Sequence, residues 1–187
     1  MRGFVLTILL ISTLYLAGCC NPEPLKSLST PLRPQETGMW CWAASGEMCM
    51  DFLGTDVQQC DEANKQFGRT DCCNNPVPGA CIDGGWPEFD KYNFTFSRTS
   101  DTALTWEQLR EQIYCRNKPV AFSWHWSGGG GHMMVARGYV SLEGTNYVYI
   151  SDPWPPNQGD LRIITYAAYV SGAGYTHWDD FYDITKK

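Results

Sequence analysis

The spacing of hydrophobic positions changes period once along the chain. From Met39 to Leu53, the apolar residues Trp42, Ala44, Met48, Cys49, Phe52 and Leu53 surround a polar stripe set by Glu47 and Asp51, four residues apart. That spacing predicts a helix stopped by Gly54. A second helix is predicted from Val57 to Phe67, with Asp56 as N-cap and Gly68 at its end. Residues 71–85 are rich in Cys, Asn, Pro and Gly and read as a loop, and Thr105-Trp106-Glu107-Gln108 fits a capping box opening a helix that runs to Cys115. After Pro119 the period shortens to two. Val120, Phe122, Trp124 and Trp126 alternate with Ala121, Ser123 and His125, a strand pattern. Two more strands, His132 to Val140 and Tyr147 to Asp152, flank a turn at Glu143-Gly144, and a fourth is predicted from Leu161 to Val170. Helices first and strands last predict an α+β fold with the two types segregated.

The N-terminus follows different rules. Arg2 and the apolar run from Phe4 to Ala17 read as an export signal over residues 1–18, too short for a membrane span of roughly 20 residues. Leu16-Ala17-Gly18-Cys19 resembles the bacterial lipobox, which implies cleavage before Cys19, lipidation of Cys19 and a membrane-anchored lipoprotein at the periplasm or cell surface. Residues 19–34, carrying Pro22, Pro24, Pro31 and Pro34, are expected to be a tether, leaving residues 35–187 as the domain.

Composition narrows the classes. Aromatic residues at 14% argue against a disordered chain, and a net charge of −6 argues against nucleic acid as a partner. Nine cysteines point to an oxidising compartment. With Cys19 lipidated, Cys20 in the tether and Cys41 set apart by its surroundings, Cys49, Cys60, Cys72, Cys73, Cys81 and Cys115 are expected to form three disulfides. The pairing stays open, except that the adjacent Cys72 and Cys73 should reach different partners. No C-x-x-C spacing occurs, which weighs against zinc, and no cofactor is expected.

Cys41 stands at the predicted start of the first helix, where unpaired N–H groups and the positive dipole end favour a thiolate. Gln35, six residues upstream, offers a side-chain amide that could join the Cys41 N–H in stabilising an oxyanion. His132 follows Ser127 and four glycines and opens a strand. The hairpin that it begins returns Asp152 to its vicinity, supplying a base and a group to orient it. Asn157 is the rival orienting group. His125 and His177 read as structural or packing residues.

Gln35…Cys41-Trp42, Gly131-His132 and Asp152-Pro153-Trp154 together resemble the papain-like cysteine peptidases, and most of all their bacterial bacteriocin-processing and AvrRpt2-like groups. Gly84-Gly85-Trp86-Pro87 is similar to the papain Gly-Gly-Tyr-Pro segment beside the substrate groove. The resemblance implies a helical subdomain carrying Cys41, an antiparallel β subdomain carrying His132, and a cleft between them. It also implies a thiol peptidase in which Cys41, His132, Asp152 and Gln35 are catalytic and a protein or peptide is the substrate; the chain is expected to be monomeric. Two other readings remain open: a transglutaminase-like acyl transferase, and a non-catalytic lipoprotein that binds peptides or cell-wall components.

Overall fold

The computed structural model describes residues 20–187, so the expected signal segment and Cys19 lie outside the described residues. Strand β1 (Leu25–Ser27) precedes helices α1 (Cys41–Phe52) and α2 (Gln59–Phe67), strand β2 (Phe94–Arg98) and helix α3 (Trp106–Arg110), which continues into a π turn at Glu111–Cys115. Strands β3 (Val120–Trp126), β4 (Gly131–Leu142), β5 (Thr145–Asp152) and β6 (Asp160–Thr165) follow. Helix α4 (Tyr166–Val170), β7 (Ser171–Gly172) and β8 (Tyr175–Lys186) complete the chain. The strands form one antiparallel sheet in the order β2-β8-β3-β4-β5-β6, with β1 added beside β4 and β7 beside β8.

The period-two alternation of β3 has a structural reason: both faces of the sheet are covered. Val120, Phe122 and Trp124 point to one side, into a core shared with Trp106, Leu109 and Tyr169 of α3 and α4. Ala121 points to the other, where Trp42, Met48 and Cys49 of α1 lie. Strand β4 divides the same way, with Met134 and Ala136 on the first side and Met133 and Val135 on the second. The small residues of β3 thus face α1 and let the helix approach. Each large apolar side chain buried in this way stabilises the fold by about 1.5–3 kcal/mol.

Local signals operate as their chemistry dictates. Thr105 Oγ1 accepts from Gln108 N–H (3.2 Å) and Gln108 Oε1 accepts from Thr105 N–H (2.9 Å), closing the capping box. Gly68 ends α2 in the left-handed conformation, and Glu143 (φ 50°) with Gly144 (φ 78°) turns β4 into β5.

Several expectations are corrected. Residues 20–34 are no free tether: Leu25–Ser27 pairs with β4 at Val140, Tyr139 and Gly138, beyond the point where β3 leaves off at Ala136. The strand expected through Val170 stops at Thr165, whose hydroxyl accepts from Ala168 N–H (3.1 Å) and starts α4 instead. Gln58, not Asp56, caps α2, and it makes no side-chain bond there. The disulfides are Cys20–Cys115, Cys60–Cys73 and Cys72–Cys81, so Cys20 takes the place expected for Cys49. Cys49 faces the core from the middle of α1 and is fully buried and unpaired, whereas the β1 pairing carries Cys20 to the end of the π turn. Cys72 and Cys73 do reach different partners.

The Cys20–Cys115 bridge closes a loop of sequence separation 95. Replacing both residues by serine should lower the unfolding free energy by about 2–4 kcal/mol in a urea titration; an unchanged midpoint would show that the arm is held by β1 alone.

Candidate active site

The start of α1 meets the near ends of β4 and β5 at a cleft of about 690 Å³ bordered by Gln35, Cys41, His132 and Asp152. Cys41 is the first residue of α1, half-buried and outside any disulfide. No side chain caps this helix start. The two tryptophans beside Cys41 anchor it: Trp40 Nε1 donates to Cys81 O (2.7 Å) and Trp42 Nε1 to Asp83 O (3.1 Å). Those bonds draw the loop before Gly84-Gly85 over the helix. A Cβ on Gly85 would lie 2.8 Å from the Trp42 ring, so only glycine lets the chain pass there.

His132 is the second residue of β4, paired with Trp124 in β3. A Cβ on the preceding Gly131 would meet the Trp124 carbonyl at 2.3 Å, which explains the glycine before the histidine. His132 Nε2 lies 2.7 Å from Asp152 Oδ1. With Nε2 taken, Nδ1 is the ring nitrogen left for Cys41, whose sulfur neighbours the ring. Burial disfavours the imidazolium, but the Asp152 bond and the Cys41 sulfur together outweigh it and push the His132 pKa to about 9.

Asp152 ends β5 with 3% of its surface exposed. Besides His132, Oδ1 accepts from Trp154 N–H (2.9 Å) and Oδ2 accepts from Arg162 Nη1 (2.7 Å). Burial opposes ionisation, yet His132, Trp154 N–H and Arg162 together hold the carboxyl below its ordinary range. Trp154 contributes its backbone N–H; the residue itself is 51% exposed. Asn157 is exposed in the β5–β6 loop, and its backbone N–H donates to Gln35 O (2.9 Å).

Gln35 is 1% exposed. Its Nε2 donates to Thr37 O (2.7 Å), which fixes the amide orientation and leaves a second N–H. His125 is exposed against the Trp178 ring, with centroids 4.7 Å apart. His177 is buried, its Nδ1 3.0 Å from Tyr169 O and its Nε2 3.1 Å from Asp180 Oδ2.

Sequence reasoning missed Arg162 and Arg98. Arg162 sits diagonally from Asp152 across the β5–β6 ladder, where Asp152 opposes Asp160 and Ile150 opposes Arg162; the signal was recoverable only from that register. Arg98 lies over the Trp86 ring at 4.2 Å and donates to Asp179 Oδ2 (2.9 Å), bracing the aromatic wall that Trp86 and Trp178 give the cleft. Among the described residues, two groupings have metal-ligand proximity, Cys60 with Asp61 and Cys73, and Asp71 with Cys72 and Cys81. In both, the cysteines are bridged to each other and offer no thiolate.

The profile of the Peptidase_C39 like family matches residues 27–181. Among solved structures, the chain is similar to the peptidase domain of Streptococcus ComA, a bi-functional ABC transporter involved in quorum sensing. The identity there is 12% and the TM-score 0.50, over 84% of this chain and 99% of that one. It is also similar to a structure from work on the mite allergens Blo t 1 and Der p 1, with 10% identity and TM-score 0.55, over 88% of this chain and 73% of that one. These likenesses show the papain-like fold. Among curated proteins there is no significant match.

Asp152→Asn keeps an acceptor for His132 and removes the charge. The His132 titration midpoint, followed by NMR of its ring protons, should fall from about 9 toward or below the ordinary 6.5. A midpoint unmoved by the substitution would mean that another group sustains the imidazolium.

Proposed function

We propose, from the premise that this chain belongs to the Peptidase_C39 like family of cysteine peptidases, that it is an exported thiol peptidase working through Cys41, His132 and Asp152 with Gln35 at the oxyanion. The observation that carries the reading is the 2.7 Å His132–Asp152 contact, bordering the same cleft as an unbridged Cys41. The Cys41 thiolate attacks the scissile carbonyl carbon, and the carbonyl electron pair moves onto oxygen. The second Gln35 Nε2–H and the Cys41 backbone N–H, which has no intrahelical acceptor, stabilise that oxygen. His132 Nδ1–H then protonates the departing amine as the C–N bond breaks, leaving a thioester. Water loses its proton to Nδ1, adds to the thioester and releases the acid, regenerating the thiolate–imidazolium pair. Asp152 holds Nε2–H throughout and so fixes Nδ1 toward the sulfur.

The unbridged Cys41 favours this reading over a non-catalytic binding protein. Transfer to an amine is the alternative for the same thioester, and adding a primary amine to the assay separates the two: hydrolysis should remain the main product. Export and anchoring belong to the same proposal. Three disulfides fit an oxidising compartment, and lipid on Cys19 would sit next to Cys20, which is bridged to the domain. Mass spectrometry of the detergent-phase protein should find a lipidated N-terminal Cys19; an unmodified, water-soluble chain would remove the anchor from the proposal.

Cys41→Ala should abolish turnover of peptide or ester substrates with the circular dichroism spectrum unchanged. Retained turnover would end the proposal. His132 keeps its proton below about 9 and loses it as pH rises through that value. The ratio kcat/KM should therefore decline on the alkaline side with an apparent pKa near 9, a value belonging to the Cys41–His132 pair. Gln35→Ala should lower kcat by about 10²–10³-fold, the usual effect of removing one oxyanion donor.

A further inference from the structure

Gln35 does not belong to a helix or strand. It rides on the arm between β1 and α1, so other groups must set its position relative to Cys41. On the side of the β5–β6 loop, Gln35 N–H donates to Pro153 O (3.0 Å) and Gln35 O accepts from Asn157 N–H (2.9 Å). On the helical side one side chain does the corresponding work. Gln59, the first residue of α2 and only 2% exposed, accepts at Oε1 from Glu36 N–H (2.9 Å) and donates from Nε2 to Pro34 O (2.9 Å). Its Nε2 also donates to Glu47 Oε2 (2.8 Å) on α1, the helix that begins with Cys41. The amide thus grips the peptide groups on both sides of Gln35 and ties them to the nucleophile's helix.

We infer that Gln59 is a positioning residue: it fixes the Gln35 amide relative to Cys41 and thereby sets oxyanion stabilisation. This rests on the reading of Gln35 as an oxyanion donor. The side-chain chemistry is specific. The site presents one N–H, one carbonyl and one carboxylate, so its partner must offer one acceptor and two donors, which among neutral side chains an amide does. A carboxylate would face Pro34 O and Glu47 with lone pairs, and an apolar chain would leave Glu36 N–H and Pro34 O without this partner and Glu47 with Arg33 alone. A donor displaced by about 1 Å costs on the order of 10²-fold in rate.

Gln59→Met keeps the volume and removes the three bonds. Two reactions are compared: turnover of an ester or peptide substrate, which passes through an oxyanion, and alkylation of Cys41 by iodoacetamide. Alkylation needs the thiolate but builds no oxyanion. The expected result is a fall in kcat of about 10–100-fold with KM within about threefold. The alkylation rate and its pH profile should match those of the wild-type protein. Adding Gln59→Met to Gln35→Ala should cost less than about threefold more, because a donor already removed cannot be misplaced. The inference is overturned if kcat stays within threefold, if alkylation slows as much as kcat, or if the two substitutions multiply in full. If Gln35→Ala alone leaves kcat unchanged, the oxyanion role of Gln35 fails first, a result distinct from an inert Gln59. Gln59→Glu, which keeps the acceptor for Glu36 N–H, gives the same comparison should Gln59→Met not be recovered folded.

Discussion

A carboxylate withdrawn from water must be met by donors, and Asp152 is met on both oxygens. Leaving such a charge buried and unpaired costs several kcal/mol, whereas each hydrogen bond to a charged group returns about 1.5–3 kcal/mol. The donors come from three places: His132 near the start of β4, the backbone N–H of Trp154 just past β5, and Arg162 in β6. Satisfying one side chain therefore fixes the relative positions of three neighbouring strands. A one-residue slip of β5 against β4 would turn Asp152 to the other face and break its bond to His132. The same bonds keep the carboxyl ionised, and the ionised carboxyl sustains the charge on His132. Structure and chemistry at this end of the sheet depend on one ionisation state.

The second half of the site is held by a different logic. Cys41 belongs to α1, which packs on the small-residue face of the sheet, and nothing covalent joins that helix directly to β4 or β5. The arm before α1 does the joining. Arg33 pairs with Asp51 and lies 3.5 Å from Glu47, so the polar stripe of α1 receives the arm rather than solvent. Pro34 and Glu36 are gripped by Gln59, while Gln35 is bonded to the loop that follows Asp152. Gln35, which borders the cleft, is thus carried on the strip of chain that ties the helices to the sheet.

Much of this was legible in the chain because it depends on local chemistry. The alternation of β3, the capping box at Thr105 and the Glu143-Gly144 turn are short-range patterns, and the turn brings Asp152 back toward His132. What escaped notice depends on partners far away in sequence. Strand β8 carries Asp179, Asp180 and Asp183, which spoil any apolar alternation. Asp180 is tolerated fully buried because Leu104 N–H and the Tyr169 hydroxyl donate to it. Strand β1 has three residues in a proline-rich stretch and exists through β4. The choice of Cys20 over Cys49 follows from that same pairing, and Arg162 and Gln59 acquire meaning only once register and helix packing are known.

The two unbridged cysteines among the described residues show how far position outweighs residue type. Cys41 and Cys49 share one helix and one apolar neighbourhood, yet they face different surroundings. Cys49 lies in the middle of α1, fully enclosed by core side chains, and burial, with the buried Glu62 nearby, pushes its thiol far above the ordinary range. A thiol held so firmly protonated is a small hydrophobe with no nucleophilic role. Cys41 stands at the uncapped helix start, beside a histidine that keeps its proton to about 9, and borders a cleft of about 690 Å³. Seven residues of helix separate an inert packing group from a thiol at the cleft. The setting of Cys41 therefore depends less on its being a cysteine than on where α1 begins, beside the Trp40 and Trp42 anchors.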